Sequence, residues 1–337
     1  MADLKTNYMG LTLKNPIIAG ATNLVSHPDN IKRMEDAGAA AIVYKSLFEE
    51  QIQLERLELD EDRAEYEERH AEMIKIFPTI EHAGPAEYLM NLRNAKESVS
   101  IPVIASLNCI FSSTWEEYAK LIEETGVDGL ELNFYSVPKE LNIQGKSIID
   151  QQIETLKLVK NTVKIPVSVK LSPFYANPLN VIKQMDEAGA NAFVLFNRYL
   201  QPDIDIMTES HHNFFNASSQ DENRMPLRFA GLLYGQLNAQ VCASSGIHTS
   251  EDVIKMILAG ADAVQVVSVL YKNKIEYLSE LVGGLNTWMD NKGYYTLKDF
   301  RGKLSAKNTK DPYIYKRAQY IDIILKSSEV FKKYKMV

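Results

Sequence analysis

The sequence predicts an α/β protein, a (β/α)8 TIM barrel. A helix-to-strand joint recurs four times, eight short apolar runs follow one another, and helix-patterned segments separate most of them with no linker between. The joints read Ala37-Gly38-Ala39-Ala40-Ala41, Thr125-Gly126-Val127-Asp128-Gly129, Ala188-Gly189-Ala190-Asn191-Ala192 and Ala259-Gly260-Ala261-Asp262-Ala263. Glycine directly after the last periodic residue ends a helix, because it takes φ > 0 without a Cβ penalty. The apolar run that follows suits a strand buried on both faces of a parallel sheet.

In chain order, residues 1–14 alternate apolar and polar around Met9-Gly10 and are expected to form a small hairpin capping the barrel bottom. Strands are expected at 16–21, 40–45, 102–107, 128–133, 166–171, 192–197, 239–243 and 263–267. Two of them open on Ile-Pro-Val, at Ile101 and Ile165, and proline is tolerated at the first residue of a strand. Helical patterns cover 115–124, 148–160, 178–188 and 250–258. A doubly wound open sheet is the competing arrangement, but it usually has fewer strands and a Gly-rich turn after the first, which is absent here. Residues 1–337 then form one domain, with the barrel at about 15–290 and an acidic insert at 49–72. The segment 199–227 is long, polar and helix-poor, and is expected to form a lid over the mouth; about 294–337 is expected to be a C-terminal helical extension.

Hydrophobic residues make up 45% of the chain, and the length allows a substantial core. No apolar run approaches the roughly 20 residues of a membrane span, and the amino terminus lacks a signal-peptide core. The two cysteines, Cys109 and Cys242, are too few and too far apart for a disulfide scaffold, a zinc site or an iron–sulfur cluster. A reducing, cytoplasmic setting is expected. Net charge is −7, and 49–72 alone holds eleven acidic residues against three arginines, so the remainder is nearly neutral. A solvated helical face is the default reading of that stretch. With no basic stripe, neither nucleic acid nor membrane is an expected partner.

Active sites of such barrels lie at the carboxyl ends of the strands. Those ends carry Gly20-Ala21, Lys45-Ser46, Asn108, Asn133, Lys170, Asn197, Ser244-Ser245-Gly246 and Val267-Ser268. Any one has a bland explanation: a lone lysine is usually solvated, and asparagine is a common turn former. Their convergence weakens it, since buried strands rarely end in lysine without an anion or polar ligand to receive it. Small residues after strands seven and eight, followed by the helix start Thr249-Ser250-Glu251-Asp252, imply a phosphorylated ligand. None of the six histidines falls at a strand end or a metal-ligand spacing. Chemistry without histidine, cysteine or a metal cluster points to a cofactor that carries the reaction.

From about Leu11 to Leu270 the chain resembles the dihydroorotate dehydrogenase family of FMN barrels. The resemblance rests on five ordered motifs: Asn15-Pro16-Ile17-Ile18-Ala19-Gly20-Ala21, Val43-Tyr44-Lys45-Ser46, Glu131-Leu132-Asn133-Phe134-Tyr135-Ser136, Val169-Lys170-Leu171-Ser172-Pro173, and Ser245-Gly246-Ile247 through Asp252. It implies small residues Ala19, Gly20 and Ala21 against the flavin, with Ser46 beside them. Lys170 would stabilise negative charge on the reduced ring, and Lys45 would contact flavin and substrate. Asn108 and Asn133 would hydrogen-bond flavin or substrate, and Asn197 the substrate's polar edge, with Arg198 beside it. Ser245, Gly246, Val267, Ser268 and Gly231 would hold the phosphate. Ser136 takes the place of the general base, which is cysteine in one branch of the family and serine in another.

Ser245 stands where the family's phosphate loop has its first glycine, and three further departures fall on the substrate side. Val137-Pro138 stands where the family continues Pro-Asn, no counterpart of the Asn…Gly-Leu-Pro-Asn substrate loop follows strand two, and Arg198 stands where a small hydroxyl residue is common. The resemblance therefore implies an FMN oxidoreductase acting on a CH–CH bond next to a carbonyl, with an anionic substrate headed by dihydroorotate. Two alternatives stay open: a Schiff-base lyase using Lys170 or Lys45 on a sugar phosphate, and a flavin-binding electron-transfer or partner protein without dihydroorotate turnover. Electrons would pass to a soluble acceptor or a separate partner subunit. Soluble relatives are often homodimers.

Overall fold

A computed structural model describes residues 2–54, 85–135, 141–199, 202–212, 217–310, 312–316, 321 and 325. The chain opens with an antiparallel hairpin, β1 (Thr6–Tyr8) and β2 (Leu11–Leu13). Met9 and Gly10 turn it with φ of 56° and 81°, the left-handed pair that a two-residue hairpin favours.

Eight parallel strands close into a barrel: β3 (Ile17–Ala19), β4 (Ala41–Phe48), β5 (Val103–Asn108), β6 (Gly129–Asn133), β7 (Val167–Leu171), β8 (Ala192–Leu195), β11 (Gln240–Ser244) and β12 (Ala263–Val266). Every one of the eight expected runs is a stave. A second antiparallel hairpin, β9 (Asp203–Asp205) with β10 (Ser210–His212), stands in the connection after β8. Helices α1 (Pro28–Asp36), α2 (Pro85–Ser98), α3 (Ser112–Glu123), α4 (Gly145–Thr162), α5 (Pro178–Glu187), α6 (Arg224–Leu233), α7 (Ser250–Ala259), α8 (Ser268–Asn273) and α9 (Tyr277–Lys292) accompany the staves. The joint glycines Gly38, Gly126, Gly189 and Gly260 all have positive φ, so each helix stops where the sequence says and hands the chain to a strand.

The larger apolar cluster lies between staves and helices, with Leu130, Leu132, Val169, Phe193 and Val264 among its buried members. A second cluster fills the barrel floor: Ile18, Val43, Ile104, Val194, Cys242 and Ala263, with Tyr8, Met9 and Leu13 of the hairpin plugged into it. A Cβ on Gly129 would come within 2.9 Å of Met9 Cε, so that glycine makes room for the plug. Burial drives the Tyr8 phenol well above its ordinary pKa, consistent with an enclosed floor.

Four expectations need adjustment. Strand two does not end at Lys45; β4 runs on to Phe48, and its pairing with β5 slips by one residue between Val43 and Ser46. Glu49 is not on a solvated face: its buried carboxylate accepts from Ile110 N, Thr114 Oγ1 and Gln53 Nε2. The rest of the acidic stretch from 55 onward lies outside the described residues. Helix α6 already begins at Arg224, inside the loop expected to reach 227. From Tyr294 to Lys316 the described residues contain two short 3-10 turns, Leu297–Asp299 and Pro312–Tyr315, and no α-helix. That segment is tied down through its backbone, with Gly302 N and Leu304 N donating to Ile257 and Leu258 at the end of α7. Beyond 316 only Ile321 and Leu325 are described, both helical.

Candidate functional site

The carboxyl ends of β3, β7, β8, β11 and β12 open on one cavity of about 180 Å³. Ala21, Lys170, Asn197, Arg198, Ser245, Gly246, Val267 and Ser268 line it, together with Phe196, Ser218, Ser244, Ile247, Gln265 and Val266.

One part of its wall is made mostly of backbone and small side chains. After β11 the chain turns at Ser245 and Gly246, with φ of 81° and 71°. A Cβ on Gly246 would lie 2.2 Å from Asn223 N, so only glycine lets these two segments touch. Ser245 holds a conformation that costs a residue bearing a Cβ about 1–2 kcal/mol, and its hydroxyl donates to Phe196 O at 3.2 Å. Asp252, the fourth residue of the Thr249 helix start, is fully buried and gathers the loops behind this wall. Its carboxylate accepts from Gln220, Asn223, the amides of His248 and Thr249, and Lys255. Burial pushes its pKa up, but the hydrogen bonds from Gln220, the His248 amide and Lys255 prevail and hold it below the ordinary carboxylate range. Ser218 N donates to Ser268 Oγ at 3.0 Å, and Lys272 Nζ to Ser218 O at 2.8 Å. His248 Nε2 lies 3.2 Å from Ser218 Oγ; burial and then the nearby Lys272 charge lower its pKa. Arg198 Nε donates to Glu222 at 2.7 Å.

A second group of residues is linked through side-chain amides. Asn197 N donates to Leu171 O, fixing the chain beyond β8 beside β7. From there Asn197 Nδ2 donates to Asn133 Oδ1 at 2.5 Å, and Asn133 Nδ2 to Ser46 Oγ at 3.3 Å. Asn108 Nδ2 donates to Asn133 O at 2.6 Å, and Ser46 Oγ sits 2.7 Å from Ser106 Oγ. Four expected residues, on β4, β5 and β6 and just beyond β8, therefore form one network centred on Asn133. The bulge in β4 explains how Ser46 joins it: an extra residue re-aims side chains within a strand, and Lys45 and Ser46 are both half-buried in succession.

Deeper in the barrel, Lys170 Nζ faces Glu131 Oε1 at 3.5 Å, and Gln265 Nε2 donates to Glu131 Oε2 at 2.6 Å. The strand period of two turns Glu131 and Asn133 of β6 the same way, and Lys170 stands opposite Asn133 in the register.

Of the other expected residues, Ala19 ends β3, buried. Gly20 follows it so closely that an added Cβ would lie 2.8 Å from Val267 Cγ2. Gly231 is not at the mouth. It lies inside α6, where a Cβ would strike Tyr315. Ser136 lies outside the described residues, as do Val137 and Pro138. Ser218 and Gln265 had no assigned role. Gln265 stood in the sequence as a lone polar residue within an apolar strand, which was the available signal; Ser218 had none. Among the described residues no group of His, Cys, Asp and Glu is arranged to hold a metal, and no helix is long and apolar enough to cross a membrane.

One cavity thus brings together turns of small residues, a buried lysine and Asn197, through which the Asn133 network reaches it. A family model described as dihydroorotate dehydrogenase matches residues 3–289. The chain is 29% identical over 310 residues to a protein of Thermoplasma volcanium named dihydroorotate dehydrogenase B (NAD(+)), catalytic subunit, covering 90% of this chain and 98% of that one. Proteins of the same name from Pyrococcus abyssi and Methanosarcina acetivorans are 27% and 28% identical, covering 89% and 88% of this chain and 98% and 94% of theirs. Barrel, mouth and match together establish that this chain belongs to the dihydroorotate dehydrogenase family and is an oxidoreductase.

Proposed function

We propose that the protein is an FMN-dependent oxidoreductase that converts dihydroorotate to orotate and passes the electrons to a separate partner subunit. The observation that carries this reading is the meeting, in one mouth, of the Ser245-Gly246 and Val267-Ser268 loops with Lys170 and the Asn133 network. The residues fit FMN. Ser245, Gly246, Val267 and Ser268 line the cavity with turns and small residues, the kind of wall along which backbone N–H groups can approach a phosphate. At the other end, Lys170, Asn197 and the buried, unpaired Gln265 Oε1 offer charge and polar groups for the edge of a planar ring.

In this reading Ser245, Gly246, Val267, Ser268 and Ser218 hold the phosphate, and Lys170 sits against the ring. Asn108 and Asn133 orient ring and substrate, and Asn197 and Lys45 receive the anionic substrate. When bound, FMN takes up the hydride lost by the substrate. Ser136 takes the proton from the carbon next to the carbonyl; a serine hydroxyl is a weak base alone and needs a relay to solvent. The chain's two cysteines cannot build an iron–sulfur relay, and the relatives' designation as catalytic subunits supports a partner that carries electrons onward.

A second reading has its own observation. Val137-Pro138 replaces the family's Pro-Asn, which favours a flavoprotein that does not turn over dihydroorotate. One experiment separates the two. Purified protein is expected to show a flavin spectrum that releases FMN on denaturation and bleaches anaerobically with dihydroorotate. Absence of flavin from folded, FMN-incubated protein sinks the cofactor assignment. Bleaching by dithionite but not by dihydroorotate sinks the substrate and leaves the second reading. Replacing Ser136 by Ala is expected to keep the flavin and slow its reduction strongly.

A further inference from the structure

A carboxylate lies where the barrel is otherwise closed to water. The Glu131 side chain is 1% exposed and the Lys170 side chain 10%. Glu131 Oε2 is bound by Gln265 of β12, while among the described residues Oε1 has no hydrogen bond and lies 3.5 Å from the Lys170 ammonium. Three staves thus meet through one carboxylate. Removing a charge from water to this depth is costly, and a neighbouring cation together with a hydrogen-bond donor is what offsets it. The arrangement has a consequence for anything that binds against Lys170. Opposite charges at this separation interact strongly inside a protein, so the field that Lys170 projects into the cavity is reduced by the carboxylate behind it.

We propose that Glu131 is a positioning residue that holds the Lys170 ammonium at the cavity and partly cancels its charge, setting how strongly the site favours the reduced, anionic form of a bound flavin. The inference rests on the FMN reading above. Gln265 takes part by donating to the same carboxylate, which keeps Glu131 in place without neutralising it.

The test is the two-electron midpoint potential of the FMN-loaded protein, measured by equilibration with a reference dye, in wild type and Glu131→Gln. Glutamine keeps the shape and a hydrogen-bonding partner for Gln265 while removing the negative charge. The reduction equilibrium is expected to move toward reduced flavin by about tenfold or more, which is about 30 mV for two electrons. An unchanged potential, or a shift the other way, overturns the proposal, even if the variant is less stable, because a purely structural Glu131 would move the unfolding midpoint and leave the potential alone. Glu131→Asp retains the charge but draws it back by one methylene. It is expected to fall between wild type and Glu131→Gln, and it decides the question by the same sign if the glutamine variant does not fold. Wild-type protein that takes up no FMN would overturn the cofactor reading and this inference together. Wild type that binds FMN beside variants of unaltered potential would overturn this inference alone.

Discussion

The two sides of the mouth are built differently. Around Gly246 the site is made of backbone: turns at positive φ, two loops in direct contact, and a buried Asp252 collecting donors from three segments. Around Asn133 it is made of side chains that reach one another from β4, β5, β6 and just beyond β8. A backbone wall constrains sequence only where a Cβ would intrude, so Ser245 can stand in the loop in a glycine's conformation without changing its course. A side-chain network has no such tolerance, and there each substitution alters what is recognised.

The sharpest way to break the comparison is Gly246→Ala. Left-handed strain and overpacking against Asn223 together are expected to lower stability by about 3 kcal/mol and to displace the wall; urea unfolding reads the first and weaker FMN binding in a fluorescence titration the second, and unaltered affinity would show that the wall is not backbone-controlled. Next comes Asp252→Asn, expected to lower stability by about 2 kcal/mol, since hydrogen bonds to a charged group are being weakened. The pKa of Asp252 is lowered in the folded protein, so the stability it contributes is present above the unfolded carboxylate value and is lost as pH falls through the folded one. Urea unfolding at pH 7 and at pH 3 checks this: the deficit of the variant should be large at the first and small at the second.

On the other side, Asn133→Ala is expected to leave FMN bound while slowing anaerobic bleaching by dihydroorotate about tenfold, the scale of one or two lost hydrogen bonds; stopped-flow absorbance reads the rate. The smallest effect is Ser245→Gly, expected to raise stability by about 1 kcal/mol by relieving the left-handed serine, with FMN affinity unchanged. A destabilised Ser245→Gly protein would mean that the hydroxyl bond to Phe196 O outweighs the strain.

The barrel was legible because its signals are local. A glycine stop and the apolar run after it lie within a few residues, and repetition placed all eight staves, though not the carboxyl end of β4. The positions of Asn108, Asn133, Lys170 and Asn197 at or beside the carboxyl ends of their strands were legible for the same reason. The bulge that brings Ser46 into the network was not, because a one-residue slip in pairing with a neighbouring strand leaves no mark in the strand's own sequence. Ser218 reaches the site through a bond to a residue 50 positions away, a pairing that no local pattern encodes. The packing of Tyr315 against Gly231 inside α6 was likewise invisible, since it joins residues 84 positions apart.

The hairpin that plugs the barrel floor has a consequence for traffic. With Tyr8 and Met9 packed into the lower end, the described residues close the Glu131–Lys170 layer from below, so a ligand that reaches Lys170 through the cavity comes and goes past the rim where Asn197 and Ser245 stand.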